Sequence, residues 1–123
     1  MVAALCREIA LRQTYLPENN NSIQSIYFGG GTPSLLSEIE LTQIFKTLET
    51  HFNFANNTEI TLEANPDDLD KNYIRMLRQL PINRLSIGIQ SFHEADLLFM
   101  NRAHNAQQAL DGVRRAQDAD ITN

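Results

Sequence analysis

Residues 23–28, an apolar run, drive straight into Gly29-Gly30-Gly31-Thr32-Pro33, and no other feature constrains this chain so strongly. Three glycines in a row leave backbone amides uncovered and free to take positive φ, so the turn can wrap closely around the polar end of a ligand. Two later segments repeat the layout. Ile60-Thr61-Leu62-Glu63-Ala64 and Leu85-Ser86-Ile87-Gly88-Ile89-Gln90 alternate apolar and polar residues and run into loops. As parallel strands they would turn Ile26, Phe28, Ile60, Leu62, Leu85, Ile87 and Ile89 to one face. Tyr27, Gly29, Thr61, Glu63, Ser86, Gly88 and Gln90 would turn to the other. That places Gly29, Glu63 and Gln90 side by side at the carboxyl ends of the strands, where open α/β sheets and barrels hold their ligands.

The 123 residues amount to one domain's length or less, enough to bury about two thirds of the unfolded surface. A net charge of −5 with no Lys/Arg cluster argues against nucleic acid or an anionic membrane as partner. No apolar run approaches the ~20 residues a membrane span needs, and no signal peptide is recognisable. The single cysteine, Cys6, excludes an internal disulfide framework, fits a reducing cytoplasm and cannot by itself form a multi-thiolate metal site.

Along the chain, the spacing predicts a helix over 1–16 with Val2, Leu5, Cys6 and Ile9 on one stripe, then a loop over 17–22. Ser37-Glu38-Ile39-Glu40 is a capping box that opens a helix carrying Leu41, Ile44, Phe45, Leu48 and Phe52. Residues 53–58 read as a polar connection to a second strand over 59–64, which Asn65-Pro66 ends. Asp67 or Asp68 is expected to cap the next helix, closed by Pro81, and the third strand begins near Arg84. Ser91-Phe92-His93-Glu94 has the form of a second capping box, and Asn105 caps a last helix with Ala106, Ala109, Leu110, Val113 and Ala116 on one side.

Strands alternating with helices indicate α/β architecture with parallel βαβ units. A doubly wound sheet buries both faces and reads as nearly continuous apolar runs. Here one face is polar, as in the lumen of a barrel or partial barrel. Three strands cannot close a barrel, so the chain is expected to be a single, incomplete core domain over 1–123.

The glycine turn lacks the Lys-Ser/Thr of a P-loop and the spacing of a dinucleotide fingerprint. Glu63 is a carboxylate facing inward, costly unless paired; it serves either a ligand or a salt bridge to Arg84, Arg102 or a residue outside the chain. Gln90 either contacts the same ligand or caps its own loop. Arg102 beside a carboxylate-lined cleft can hold a ligand carboxylate bidentately, or it is a solvated surface arginine. His51, His93 and His104 read as surface or capping histidines and match no zinc spacing. Cys6 lies on a core stripe, and no serine or cysteine nucleophile has a credible His/acid set.

Residues 26–36 (Ile-Tyr-Phe-Gly-Gly-Gly-Thr-Pro-Ser-Leu-Leu), 62–66 (Leu-Glu-Ala-Asn-Pro) and 84–92 (Arg-Leu-Ser-Ile-Gly-Ile-Gln-Ser-Phe) together resemble the radical S-adenosylmethionine (SAM) proteins of the oxygen-independent coproporphyrinogen III oxidase group. Asn101-Arg102-Ala103-His104-Asn105-Ala106 is more similar to the heme chaperone (HemW) branch than to the oxidase. The resemblance implies about half of a partial (β/α)6, TIM-like radical SAM barrel. It implies that Gly30, Gly31 and Thr32 hold the amino end of SAM through the turn's backbone, and that Glu63, Gln90 and Arg102 contact the same cofactor. In the full-length family a [4Fe–4S] cluster cleaves the sulfonium to a 5′-deoxyadenosyl radical. The chaperone branch then binds and delivers heme, whereas the oxidase acts on a porphyrinogen.

The family's Cys-x-x-x-Cys-x-x-Cys loop is not among these residues, and Cys6 does not replace it, so the chain is expected to hold no cluster and to start no radical by itself. Two other readings compete. A three-stranded sheet with open edges could serve as a self-associating module with no ligand. A generic phosphate-binding half-barrel is the third, and the acidic Glu63 argues against it.

Overall fold

The computed structural model describes residues 1–15 and 22–121. Its elements are α1 (Val2–Leu11), β1 (Ser22–Phe28), α2 (Glu38–His51), β2 (Asn53–Ala64), α3 (Lys71–Leu77), β3 (Arg84–Ile87), α4 (Glu94–Phe99) and α5 (Ala106–Asp118). Single 3-10 turns at Pro33–Leu35 and Pro66–Asp68 follow β1 and β2. The three strands are parallel, alternate with helices and form one sheet in the order β1-β2-β3. Among the described residues no helix is long and apolar enough to cross a membrane.

The chain divides into two compact units. The first comprises Met1–Ile26 and Leu36–Glu59, the second Tyr27–Leu35 and Ile60–Asn123. In the first unit α1 packs against α2, and Val2, Cys6, Leu41, Ile44 and Phe45 are buried. The expected capping box forms. The Ser37 amide and hydroxyl donate to Glu40 at 2.9 and 2.8 Å, and the Glu40 amide donates back to Ser37 Oγ at 3.4 Å. These donors, backbone first, hold the Glu40 carboxyl below its ordinary value. The helix expected over 1–16 stops at Leu11, where the Arg12 amide closes on Glu8 and Ile9. Thr14 and Tyr15 beyond it lose rotamer freedom in a helix. The loop expected over 17–22 lies outside the described residues except for Ser22, which opens β1.

The polar connection expected over 53–58 is instead the first half of β2. Strands are set by the backbone ladder, and exposed Asn56 and Asn57 do not oppose it. The Thr58 hydroxyl meets the Ile23 carbonyl at 2.9 Å.

In the second unit, β2 and β3 pair in parallel register, Leu62 beside Leu85 and Glu63 beside Ser86. The alternation therefore sorts the faces as expected near the strand ends. Deeper in, Thr61 is only 1% exposed, with the Arg84 guanidinium 3.4 Å from its hydroxyl. The cap of α3 is Asp70, whose carboxylate accepts the Asn72 and Tyr73 amides at 2.8 and 2.7 Å. Neither Asp67 nor Asp68 takes that place, because both belong to the 3-10 turn after Asn65. Leu69 and Leu77, both 0% exposed, anchor this segment in the core.

The Ser91 capping box does not form either. Ser91 Oγ bonds to Asp96 at 2.8 Å and accepts the His93 amide at 3.0 Å, while Glu94 reaches the Ala106 amide at 2.9 Å. Asn105 does cap α5, paired reciprocally with Gln108 at 2.8 and 2.9 Å. Helix α5 buries Ala109, Gly112 and Ala116 and leaves Leu110 40% exposed, off the stripe assigned to it. It approaches the Pro66–Asp68 turn closely enough that a Cβ at Gly112 would lie 3.2 Å from the Pro66 carbonyl.

Candidate functional site

At the carboxyl ends of the strands, wholly within the second unit, lies a cavity of about 290 Å³ with mostly polar walls. Gly31, Thr32 and Pro33 line it from the turn after β1, Glu63, Ala64 and Asn65 from the end of β2, and Ser86, Gly88 and Gln90 from β3 and the loop beyond. A larger open groove of about 680 Å³ in the first unit runs along the outside of α2 and gathers side chains from that helix alone.

The first wall is backbone. Gly30 and Gly31 sit at φ 82° and 73°, and a Cβ on either would meet no atom within 4 Å. A side chain there is disfavoured by the backbone angle, not by crowding. Gly29 is constrained differently, since a Cβ would lie 2.5 Å from the Tyr27 ring and 3.2 Å from the Glu63 carboxyl carbon. Among the described residues the amides of Gly31 and Thr32 have no intramolecular partner, so two donors stand uncommitted at the cavity.

Glu63 is the floor. One oxygen accepts the Tyr27 hydroxyl at 2.7 Å and the other the Gly30 amide at 3.1 Å. Among the described residues neither Arg84 nor Arg102 pairs with it: Arg84 bonds to Thr61, and Arg102 to Asn65 and Gly88. Each carboxylate oxygen keeps acceptor capacity for a ligand hydroxyl or ammonium group.

Behind these residues runs a layer of polar ties. Asp68 accepts the Ser34 hydroxyl at 2.5 Å and the Asn65 backbone and side-chain amides at 3.4 Å, which links the turn after β1 to the turn after β2. Tyr73 stands near this carboxylate with its buried hydroxyl unpartnered. Burial first, and Asp68 second, push its phenol up to about 12, so it stays neutral. Arg102 Nη2 donates to Asn65 Oδ1 at 3.0 Å and to the Gly88 carbonyl at 2.9 Å. The His104 side chain, 0% exposed, brings Nε2 to 3.0 Å from the Ile89 carbonyl, with Nδ1 3.6 Å from Asp67.

Of the residues singled out in the sequence, Gly31, Thr32, Glu63 and Gln90 surround one cavity, and Gly30 hydrogen-bonds to its floor. Arg102 stands behind the wall. Gln90 is not the register partner of Glu63; that is Ser86. β3 ends at Ile87, and Gln90 reaches the cavity from a loop at φ 67°. His104 is not a surface histidine, whereas His51 bonds to Gln13 at 2.9 Å and His93 is exposed at the start of α4. Asn65 entered the sequence reading as a strand terminator and as part of the 62–66 motif, but not as a lining residue. Its signal was its place directly after the inward Glu63 strand and before a proline. Cys6 is buried, its sulfur 3.9 Å from the Gln43 carbonyl, and no group of three His, Cys, Asp or Glu residues suited to a metal occurs among the described residues.

A sequence model of the Radical SAM superfamily matches residues 6–123. The chain is 38% identical over 131 residues to "Radical S-adenosyl methionine domain-containing protein 1, mitochondrial" of Dictyostelium discoideum, covering 96% of this chain and 29% of that one. It is 37% identical over 101 residues to the heme chaperone HemW of Lactococcus lactis, covering 82% and 27%. Among solved structures, coproporphyrinogen III oxidase (HemN) of Escherichia coli, a radical SAM enzyme, superposes with a TM-score of 0.84 at 27% identity, over 98% of this chain and 27% of that one. The chain thus spans less than a third of the length of each of these proteins.

Proposed function

Because this chain belongs to the radical SAM superfamily, within its HemN/HemW-like group, we propose that the cavity at its strand ends binds S-adenosylmethionine. The observation that carries this reading is the junction of Glu63 with the glycine turn. An inward carboxylate is fixed by Tyr27 and Gly30 directly beside two uncommitted amides. S-adenosylmethionine presents matching groups. Its ammonium suits the carbonyls of the glycine turn, its carboxylate the free amides of Gly31 and Thr32, and its hydroxyls the remaining lone pairs of Glu63 and the amide of Gln90. Arg102 acts at one remove, holding Asn65 and the Gly88 carbonyl in the far wall.

The residues present fit this cofactor but not an iron–sulfur cluster. Such clusters are held by several thiolates, and the chain has one cysteine, buried in the other unit. These residues therefore bind and orient the cofactor, and this stretch alone does not cleave it. We place the stretch in a protein of heme or porphyrin metabolism. The segment Asn101-Arg102-Ala103-His104-Asn105-Ala106 favours the heme chaperone branch over the oxidase; overall identity does not separate them, since a HemW and an oxygen-independent coproporphyrinogen III oxidase both match at 37%.

Titration of the purified chain with S-adenosylmethionine tests the reading. Glu63→Gln keeps the shape but removes the charge, and it is expected to weaken binding about tenfold or more, the weight of a charge-assisted hydrogen bond. Equal affinity in the variant, or no binding to the wild type at millimolar ligand, overturns the assignment. A second reading, self-association without a ligand, draws support from β1 and β3 standing at the outside of the three-stranded sheet among the described residues. It expects a dimer or larger species by light scattering, and a monomer at high concentration refutes it.

A further inference from the structure

The loop after β3 has a backbone its sequence does not favour. Gln90 sits at φ 67° without being glycine, and the Ser91 amide closes back on the Ile89 carbonyl at 2.9 Å. A two-residue closure across a positive-φ centre is the γ-turn that is rare and strained. Such a turn persists only where its surroundings over-determine it. Two side chains from one short segment do so here. Arg102 Nη2 holds the Gly88 carbonyl at 2.9 Å, and His104 Nε2 holds the Ile89 carbonyl at 3.0 Å.

The Ile89 carbonyl is thus the meeting point of the local closure and a long-range tie. Because a carbonyl only accepts, Nε2 of His104 must carry the proton. The ring is wholly enclosed; its Nδ1 makes no hydrogen bond, and its nearest charged neighbour there is the Asp67 carboxylate at 3.6 Å. An imidazole buried to make one hydrogen bond is poorly explained as filler, since a leucine would occupy the space without an orphaned nitrogen.

We infer that His104 is a positioning residue. Its Nε2–H grips the Ile89 carbonyl, holds the strained turn closed and so keeps Gln90 at the wall of the cavity. Only the ligand arm of the test below rests on the S-adenosylmethionine reading; the backbone arm stands without it.

The test uses isotope-labelled full chain, as wild type, His104→Gln, which keeps a donor, and His104→Leu, which keeps bulk alone. In the wild type, NMR should show a protonated Nε2 with a coupling across the hydrogen bond to the Ile89 carbonyl carbon. Gln90 shifts should report a left-handed backbone. His104→Leu should abolish the left-handed signature at Gln90, and His104→Gln should retain it. A leucine variant that keeps that signature overturns the inference. Should the leucine variant fail to fold, the wild type decides by itself: an unprotonated Nε2, or no coupling to Ile89, overturns it equally. In the ligand arm, His104→Leu should weaken S-adenosylmethionine binding about tenfold, the worth of one buried hydrogen bond, with His104→Gln close to wild type. If the wild type binds no S-adenosylmethionine while Gln90 follows His104, the ligand assignment fails and the positioning role stands.

Discussion

The turn after β1 and the loop after β3 both bring left-handed backbone to the cavity, at Gly30 and Gly31 on one side and at Gln90 on the other. On the glycine side the conformation is intrinsically cheap, and the ties that hold it are carboxylates: Glu63 on the Gly30 amide and Asp68 on the Ser34 hydroxyl. On the glutamine side the conformation is costly, and the ties are donors, Arg102 and His104, placed on the carbonyls of Gly88 and Ile89. The difference leaves the two walls with different things to offer a ligand. The first presents uncommitted N–H groups. The second has two of its carbonyls held from behind and presents a side-chain amide. A polar ligand with acceptors at one end and hydroxyls at the other would meet complementary partners on each.

The contrast can be broken at its ties or at its backbone angles. The largest effect is expected from Asp68→Ala, which leaves the Ser34 hydroxyl and the Asn65 amides without their shared acceptor. Urea denaturation should show a loss of about 2 kcal/mol; an unchanged midpoint would mean that glycine freedom alone shapes the first wall. Gly31→Ala comes next. The added methyl meets no atom, so any loss comes from the left-handed angle, about 1 kcal/mol by the same measurement. A neutral result would show that the turn relaxes to negative φ at no cost. Gln90→Gly should do the opposite and by least, a gain of about 0.5 kcal/mol or less. Glycine removes a left-handed penalty of about 1 kcal/mol but returns part of it through the freer unfolded chain. Loss of stability in that variant would show that the Gln90 side chain is itself a structural tie.

How much of this was legible in the sequence depends on the range of the interaction involved. Ser37 with Glu40 and Asn105 with Gln108 are partners three residues apart, and both caps could be read directly. The alternation that turns Glu63 inward is likewise local, and the parallel α/β order followed from it. Where distant partners compete, local rules lost. Ser91 and Glu94 match the capping pattern, yet Asp96 and the Ala106 amide claim them. Asp68 matches an N-cap but is taken by Ser34, more than thirty residues earlier. The strand at 53–58 is polar because backbone pairing, which carries no side-chain signal, makes it a strand. His104 was misread for a similar reason: nothing near it in sequence shows that a carbonyl of another loop waits for its proton.

Gly112 never approaches the cavity, yet the geometry gives it leverage there. Its bare backbone sets how near α5 can come to Pro66, and that proline opens the short turn bearing Asp67 and Asp68. A methyl group at this point would require the Pro66 carbonyl to give by a few tenths of an ångström, and that turn is the one tied to Asn65 and the Ser34 hydroxyl through the Asp68 carboxylate. The spacing of the ligand-facing residues is thus gauged in part from the rear, by an atom that is missing from a helix.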